Sequence, residues 1–155
     1  MRQCCQGFTL LELMIVIVVI GMLLGMVSLV VAPNPLREAR HEAGEVAGMI
    51  LRLRERAVLN GEQYGIRFSE SGYRVMQLDD REWLPMAAFH QWPAKLRLHL
   101  EQDGHALALG GDQGLPQLLM LSSDENTAFT LTFTVGDRTL LSLSSDGLGE
   151  AVIDG

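Results

Sequence analysis

From Leu13 to Ala32 the chain runs for twenty residues without a charge, headed by one carboxylate, Glu12, and holding one polar side chain, Ser28. At about 1.5 Å rise per residue, such a run makes a helix about 30 Å long, the thickness of a bilayer's hydrocarbon. A carboxylate at the end of that segment is costly in lipid and needs a partner. An ordinary signal anchor would let Glu12 reach the headgroups. A secretory signal peptide would end in small residues that mark a cleavage site behind the apolar run. Here the run meets Pro33-Asn34-Pro35 instead, and only a short polar leader, Met1 to Gly7 with Arg2, stands ahead of it. The apolar segment is therefore expected to stay on the mature protein.

Gly7-Phe8-Thr9-Leu10-Leu11-Glu12 followed by a long apolar helix resembles the signal of type IV pilins and type II secretion pseudopilins. The resemblance implies that a prepilin peptidase cuts after Gly7 on the cytoplasmic face and N-methylates Phe8 as the new amino terminus. It further implies that the helix leaves the inner membrane to pack in a filament core, with Glu12 facing the amino terminus of a neighbouring subunit. A carboxylate in a dry helix bundle is tolerable when paired, and an adjacent ammonium supplies the pair.

Cleavage after Gly7 leaves 155 − 7 = 148 residues. Beyond the membrane segment stand about 120, enough for one small domain with its own core. The precursor's formal charge is −7, and loss of Arg2 makes it −8. From Asn60 onward there are fourteen acidic and six basic residues, also −8. Such a surface repels nucleic acid phosphates, so no nucleic acid partner is expected. Both cysteines, Cys4 and Cys5, lie in the leader, so the mature chain is expected to hold no disulfide. Adjacent cysteines without a third thiol do not make a zinc site. Arg2 favours a cytoplasmic amino end by the positive-inside tendency, whereas Arg37 and Arg40 on the far side oppose it, so the resemblance carries the orientation.

Pro33-Asn34-Pro35 predicts a kink or short break. Beyond it Leu36, Ala39, Ala43, Val46, Ile50, Leu53 and Ala57 recur at steps of three and four, one apolar helical stripe. Arg37, Arg40, Glu42, Arg52 and Arg56 are read as a solvated face away from it. Asn60-Gly61 is a stop signal. After Gly61 the period changes. Gln63 to Phe68 and Tyr73 to Leu78 flank Ser69-Glu70-Ser71-Gly72, a hairpin signal. Trp83 to Met86 is a short apolar stretch. Leu96, Leu98 and Leu100 alternate with Arg97 and His99 as in a half-buried strand. Further strands are expected at 106–109, 117–121, 129–135, 139–143 and 150–153, divided by turns at Asp103-Gly104, Gly110-Gly111, Asp124-Glu125-Asn126, Gly136-Asp137 and Asp146-Gly147. The fold expected is α+β: a long N-terminal pilin-type helix, apolar then amphipathic, followed by an antiparallel, sandwich-like β domain. The parts are 1–7 as leader, 8–32 as transmembrane and filament-core helix, 33–61 as amphipathic helix and 62–155 as periplasmic β domain.

In the carboxyl half, Leu118 to Glu125, then Phe129-Thr130-Leu131-Thr132-Phe133, then Asp146-Gly147-Leu148-Gly149 resemble the H-type minor pseudopilins of type II secretion. That resemblance implies a structural subunit at or near the tip of a periplasmic pseudopilus that supports export of folded proteins across the outer membrane. The implied partners are the major pseudopilin, other minor pseudopilins, the prepilin peptidase and the inner membrane. A type IV pilus minor pilin for pilus assembly or DNA uptake shares the signal and the plan, yet Ser144 to Gly155 has three acidic residues and no basic one. No catalytic residue, cofactor site or metal site is expected. Gly110-Gly111-Asp112-Gln113-Gly114 lacks the Lys-Ser/Thr of a nucleotide loop and reads as a turn. His41, His90, His99 and His105 lack metal-site spacing, and His99 is expected to point outward. The serines lack a nucleophile elbow. Asp79-Asp80-Arg81-Glu82 and Asp124-Glu125-Asn126 offer oxygen donors for calcium but lack EF-hand spacing, and read as solvated loops. Trp83 and Trp92 read as core or interface anchors.

Overall fold

A computed structural model describes residues 9–26 and 34–155. The chain divides into two units, one up to Pro33 and one from Asn34 on. In the first, α1 covers Leu10–Met26. Thr9 opens it: its carbonyl accepts from the Glu12 and Leu13 amides at 3.0 and 3.3 Å, and its hydroxyl oxygen lies 3.4 Å from the Glu12 amide. Serine or threonine followed three residues later by glutamate is a helix-start signature. Every side chain from Leu10 to Met22 is exposed, and the apolar ones face all directions. A helix apolar all round, with no core of its own to enter, calls for lipid or other helices around it. Among the described residues no helix is long and apolar enough to cross a membrane. The expected 8–32 segment falls partly outside the described residues.

In the second unit α2 covers Pro35–Asn60. Asn34 is extended, and its side-chain oxygen accepts from the Leu36 amide at 3.1 Å, while Pro35 sits where no amide donor is needed. So the break expected at the prolines is a fresh helix start. The helix stops where expected: Gly61 is left-handed, with φ 69°, and its amide donates to the Ala57 carbonyl at 3.0 Å. Ala39, Ala43, Val46, Ile50, Leu53 and Ala57 are buried, as their spacing predicts. The three alanines let the helix lie close to the sheets. Val46, Ile50 and Leu53 each gain about 1.5–3 kcal/mol from burial.

The sheets form two antiparallel layers. The first orders β3 (Glu82–Pro85), β2 (Gly72–Asp79), β1 (Tyr64–Phe68) and β7 (Leu118–Met120), with β4 (His90–Gln91) on the same edge of β2 as β3. The second orders β10 (Val152–Asp154), β9 (Arg138–Ser145), β8 (Phe129–Val135), β5 (Arg97–Gln102) and β6 (His105–Leu107). Phe129, Leu131 and Phe133 alternate inward on β8. Register stacks Leu100–Leu131–Leu143 and Leu98–Phe133–Leu141 across three strands. Arg97 and His99 are exposed, as the alternation requires. The turns Asp80-Arg81 and Asp103-Gly104 have both φ values positive, 42° and 77°, then 51° and 75°. That geometry matches the strand twist in two-residue hairpins. α2 lies across β1 and β7 of the first sheet and β9 and β10 of the second, and one core joins all three.

The outer face of the first sheet is covered by loops. Pro116 packs on Gly65, where an added Cβ would stand 2.6 Å from its ring. The segment read as a plain turn, Gly110 to Gly114, is tied down: Arg67 donates to the Gly111 and Leu115 carbonyls, and Arg74 pairs with Asp112 at 3.0 Å. Arg67 and Arg74 are direct cross-strand partners, so two like charges there need this carbonyl and carboxylate cover. Trp83 to Met86 proves to be mostly exposed edge strand rather than core, although Trp83 itself is half-buried.

Candidate functional site

Three places bring chemically distinctive side chains together. The first is the head of α1. Glu12 lies in the first helical turn, where the exposed amide ends favour a negative charge, and its side chain is exposed. The partner-facing geometry expected of Gly7 and Phe8 lies outside the described residues.

The second place corrects the sequence reading. Glu42, read as part of the solvated face, is buried, with 7 % of its surface exposed. Its Oε2 lies 2.8 Å from His90 Nε2. On the helical wheel Glu42 borders the stripe formed by Ala39, Val46 and Leu53, and β4 closes over it. His90 in turn lies 4.8 Å from the Tyr73 ring, and Tyr73 lies 5.1 Å from Trp92. Trp92 meets Phe133 edge to face at 6.1 Å and donates from Nε1 to the Ser69 carbonyl. Burial, followed by the charges of Glu42 and Glu45, pushes the Tyr73 hydroxyl above its ordinary pKa. Gly72 makes this corner possible: a Cβ there would overlap the His90 carbonyl oxygen and lie 2.6 Å from the Phe89 ring. The pair fastens α2 to the edge of the first sheet. No local sequence signal links Glu42 to His90, which are 48 positions apart.

The third place is Arg54, absent from the sequence reading. Its Nε and one terminal nitrogen hold both oxygens of Asp124 at 2.6 and 3.0 Å, a forked pairing. The same guanidinium donates to the Leu148 and Gly149 carbonyls at 2.9 and 3.2 Å. Thus one side chain ties α2 to the β7–β8 loop and to the turn before β10. The Asp124 hydrogen bond, with Asp146 and Glu150 nearby, raises the Arg54 pKa further, and the same bond holds the Asp124 carboxyl below the usual range. Asp146 is also lowered: its Oδ1 accepts the Gly149 and Leu148 amides at 2.8 and 2.9 Å. So Asp124, read as part of a solvated loop, is a structural partner of Arg54. Among the described residues no group of three or more histidine, cysteine, aspartate or glutamate side chains is arranged to hold a metal ion.

An apolar rod with one carboxylate at its capped head, followed by an amphipathic helix laid over antiparallel sheets, defines a pilin-type filament subunit. Residues 2–28 match the prokaryotic N-terminal methylation motif. Type II secretion system protein H of Pseudomonas aeruginosa is 39 % identical over 157 residues, spanning 92 % of this chain and 91 % of that one. The protein of the same name from Escherichia coli is 26 % identical over 138 residues, spanning 81 % and 79 %. The minor pseudopilin EpsH of the Vibrio cholerae type 2 secretion system superposes with a TM-score of 0.65 at 25 % identity, covering 76 % of this chain and 96 % of that one. The solution structure of Escherichia coli GspH shares the fold, with a TM-score of 0.63 over 76 % of this chain and 88 % of that one at 24 % identity. The chain belongs to the type II secretion system protein H family, and its function is that of a minor pseudopilin in type II secretion.

Proposed function

We propose that this subunit is processed after Gly7, is N-methylated on Phe8, and enters the pseudopilus at or near its tip through α1. Before assembly the apolar segment anchors it in the inner membrane as a single pass, with the domain from Asn34 on in the periplasm. Glu12 then meets the amino terminus of a neighbouring subunit, which supplies the positive charge that a carboxylate surrounded by apolar helices requires. The major pseudopilin and the other minor pseudopilins are its partners. The contribution is packing and pairing, with no catalysis and no nucleic acid. The observation that carries this reading is the helix head: a capped first turn with Glu12 exposed among apolar side chains that have no fold-internal core to enter.

Mass spectrometry of the protein from its host tests the processing. The expected mass is that of Phe8 to Gly155 plus one methyl group. Retention of Met1, or loss of the apolar segment, would overturn the reading. In the same cells Glu12→Ala should leave the protein in the membrane and stop exoprotein release, and undiminished release would refute the pairing.

A further inference from the structure

Along the flank of α2 that faces the turn before β10 runs an open groove. Its narrow end, about 170 Å³, is floored by Ala47, Gly48 and Ile50 and walled by Gly149 and Ala151. Its wide end, about 520 Å³, lies between Val58 and Leu59 on one side and Asp124 on the other. The two ends share Leu51, Arg54 and Glu150, so they form one channel. From Ala47 to Leu59 it extends about 18 Å along the helix. Leu51, Val58 and Leu59 are exposed, Leu59 at 82 %, and Leu148 on the opposite turn is exposed at 72 %. These side chains lie off the buried stripe and meet no core of their own.

The rim is acidic. Glu55, Asp124 and Glu150 stand along it, with Asp146 close by. Of the described residues that line it, the cation Arg54 is spent on Asp124 and two carbonyls, while the Arg52 guanidinium lies beside Gly48 at the narrow end and pairs with neither Asp124 nor Glu150. Among the described residues Glu55 and Glu150 make no ion pair. A second copy of this chain is a poor occupant, since its residues from Asn60 on carry fourteen acidic and six basic groups. Its α1 side chains, Leu10 to Met26, bring apolar area but no lysine or arginine.

We infer that this groove is the docking surface for a different pseudopilin subunit, which inserts apolar side chains flanked by lysine or arginine. The inference rests on the proposed function, because it takes the occupant from the same filament. Apolar burial along Leu51, Val58 and Leu59 supplies the attraction. Glu55 and Glu150 select a basic flank and exclude further copies of this acidic chain.

The full chain in its secreting host tests it. Both native cysteines precede Gly7, so Val58→Cys gives the mature subunit a single thiol, to be labelled with benzophenone maleimide and irradiated. Arg138→Cys, on the far β8–β9 hairpin, is the control, and Leu59→Cys repeats the test where Val58→Cys lowers abundance. The expected product joins this chain to another pseudopilin through a peptide with lysine or arginine within a turn of an apolar residue. Glu55→Lys with Glu150→Lys should reduce that product about tenfold without changing abundance. A product made only of two copies of this chain overturns the inference. So does a product with lipid or exoprotein alone, a product unchanged by charge reversal, or none beyond the control. Glu12→Ala in parallel separates the two readings: if it stops release while the groove yields no product, only the groove fails, and if it does not stop release, the filament reading fails.

Discussion

α1 and α2 are helices of one chain with opposite relations to a core. α2 buries one stripe, Ala39 to Ala57, and turns the rest to solvent or partners. The described side chains of α1, Leu10 to Met22, are all exposed, although it is the more apolar of the two. Apolar content therefore does not say where a helix packs; the arrangement of that content around the axis does. The carboxylates follow the same division. Glu42 has a partner inside the fold, His90, whereas Glu12 has none among the described residues of its unit. Among the described residues the folded core belongs to α2 and the sheets, and α1 contributes nothing to it.

Four measurements break or sharpen that contrast. The largest effect is expected in the sheet core. Leu131→Ala removes a fully buried side chain stacked between Leu100 and Leu143, and should lower unfolding free energy by about 2–5 kcal/mol in denaturant titration of the detergent-solubilised chain. Ile17→Ala in α1 should change that value by less than about 0.5 kcal/mol, the range of exposed substitutions. Equal losses would end the division of labour.

Next comes Gly72→Ala, where the new Cβ collides with backbone as well as with Phe89. Overpacking of this kind costs about 1–3 kcal/mol, and hydrogen exchange should show β4 released from β2. Third, Glu42→Ala should cost about 1–3 kcal/mol by leaving His90 unpaired and a gap under β4. Glu12→Ala should leave the unfolding midpoint in place and abolish release. A Glu42 variant as stable as wild type would show that the pair only accompanies the packing.

The smallest effect is at Arg54. The Asp124 carboxyl is held low in the fold, so its contribution is present above the ordinary aspartate pKa of about 3.9 and fades as pH falls through the lowered folded value. Asp124→Asn should therefore speed amide exchange at Leu148 and Gly149 near neutral pH and match wild type in strong acid. A difference that persists or grows on acidification would remove Asp124 as the partner that matters.

Much of this plan is legible in local patterns. The α2 stripe and its Gly61 stop, the β1–β2 hairpin, and the alternation in β5 and β8 all follow from spacing, because the period of apolar residues reports which face is covered. The ends of β6, β7, β9 and β10 shift by one or two residues, where turns and edge pairing decide the boundary. β3 and β4 escaped because both are short edge segments without alternation. Of the candidate site, the motif at Gly7, Phe8 and Glu12 stands in contiguous sequence. The Glu42–His90 and Arg54–Asp124 pairs do not, since 48 and 70 positions separate their members.

Local sequence was enough for an apolar rod headed by a lone carboxylate, an amphipathic helix, a β-rich acidic remainder and two cysteines that both precede Gly7. Those are properties of neighbouring residues, and periodicity and charge count carry them. The tertiary structure alone decided which charges are spent inside the fold and which remain on its surface. Glu42 and Arg54 look like their exposed neighbours in the sequence, yet a strand edge closes over one and two loops converge on the other. Burial and pairing depend on what distant segments bring into place, and no local pattern encodes that.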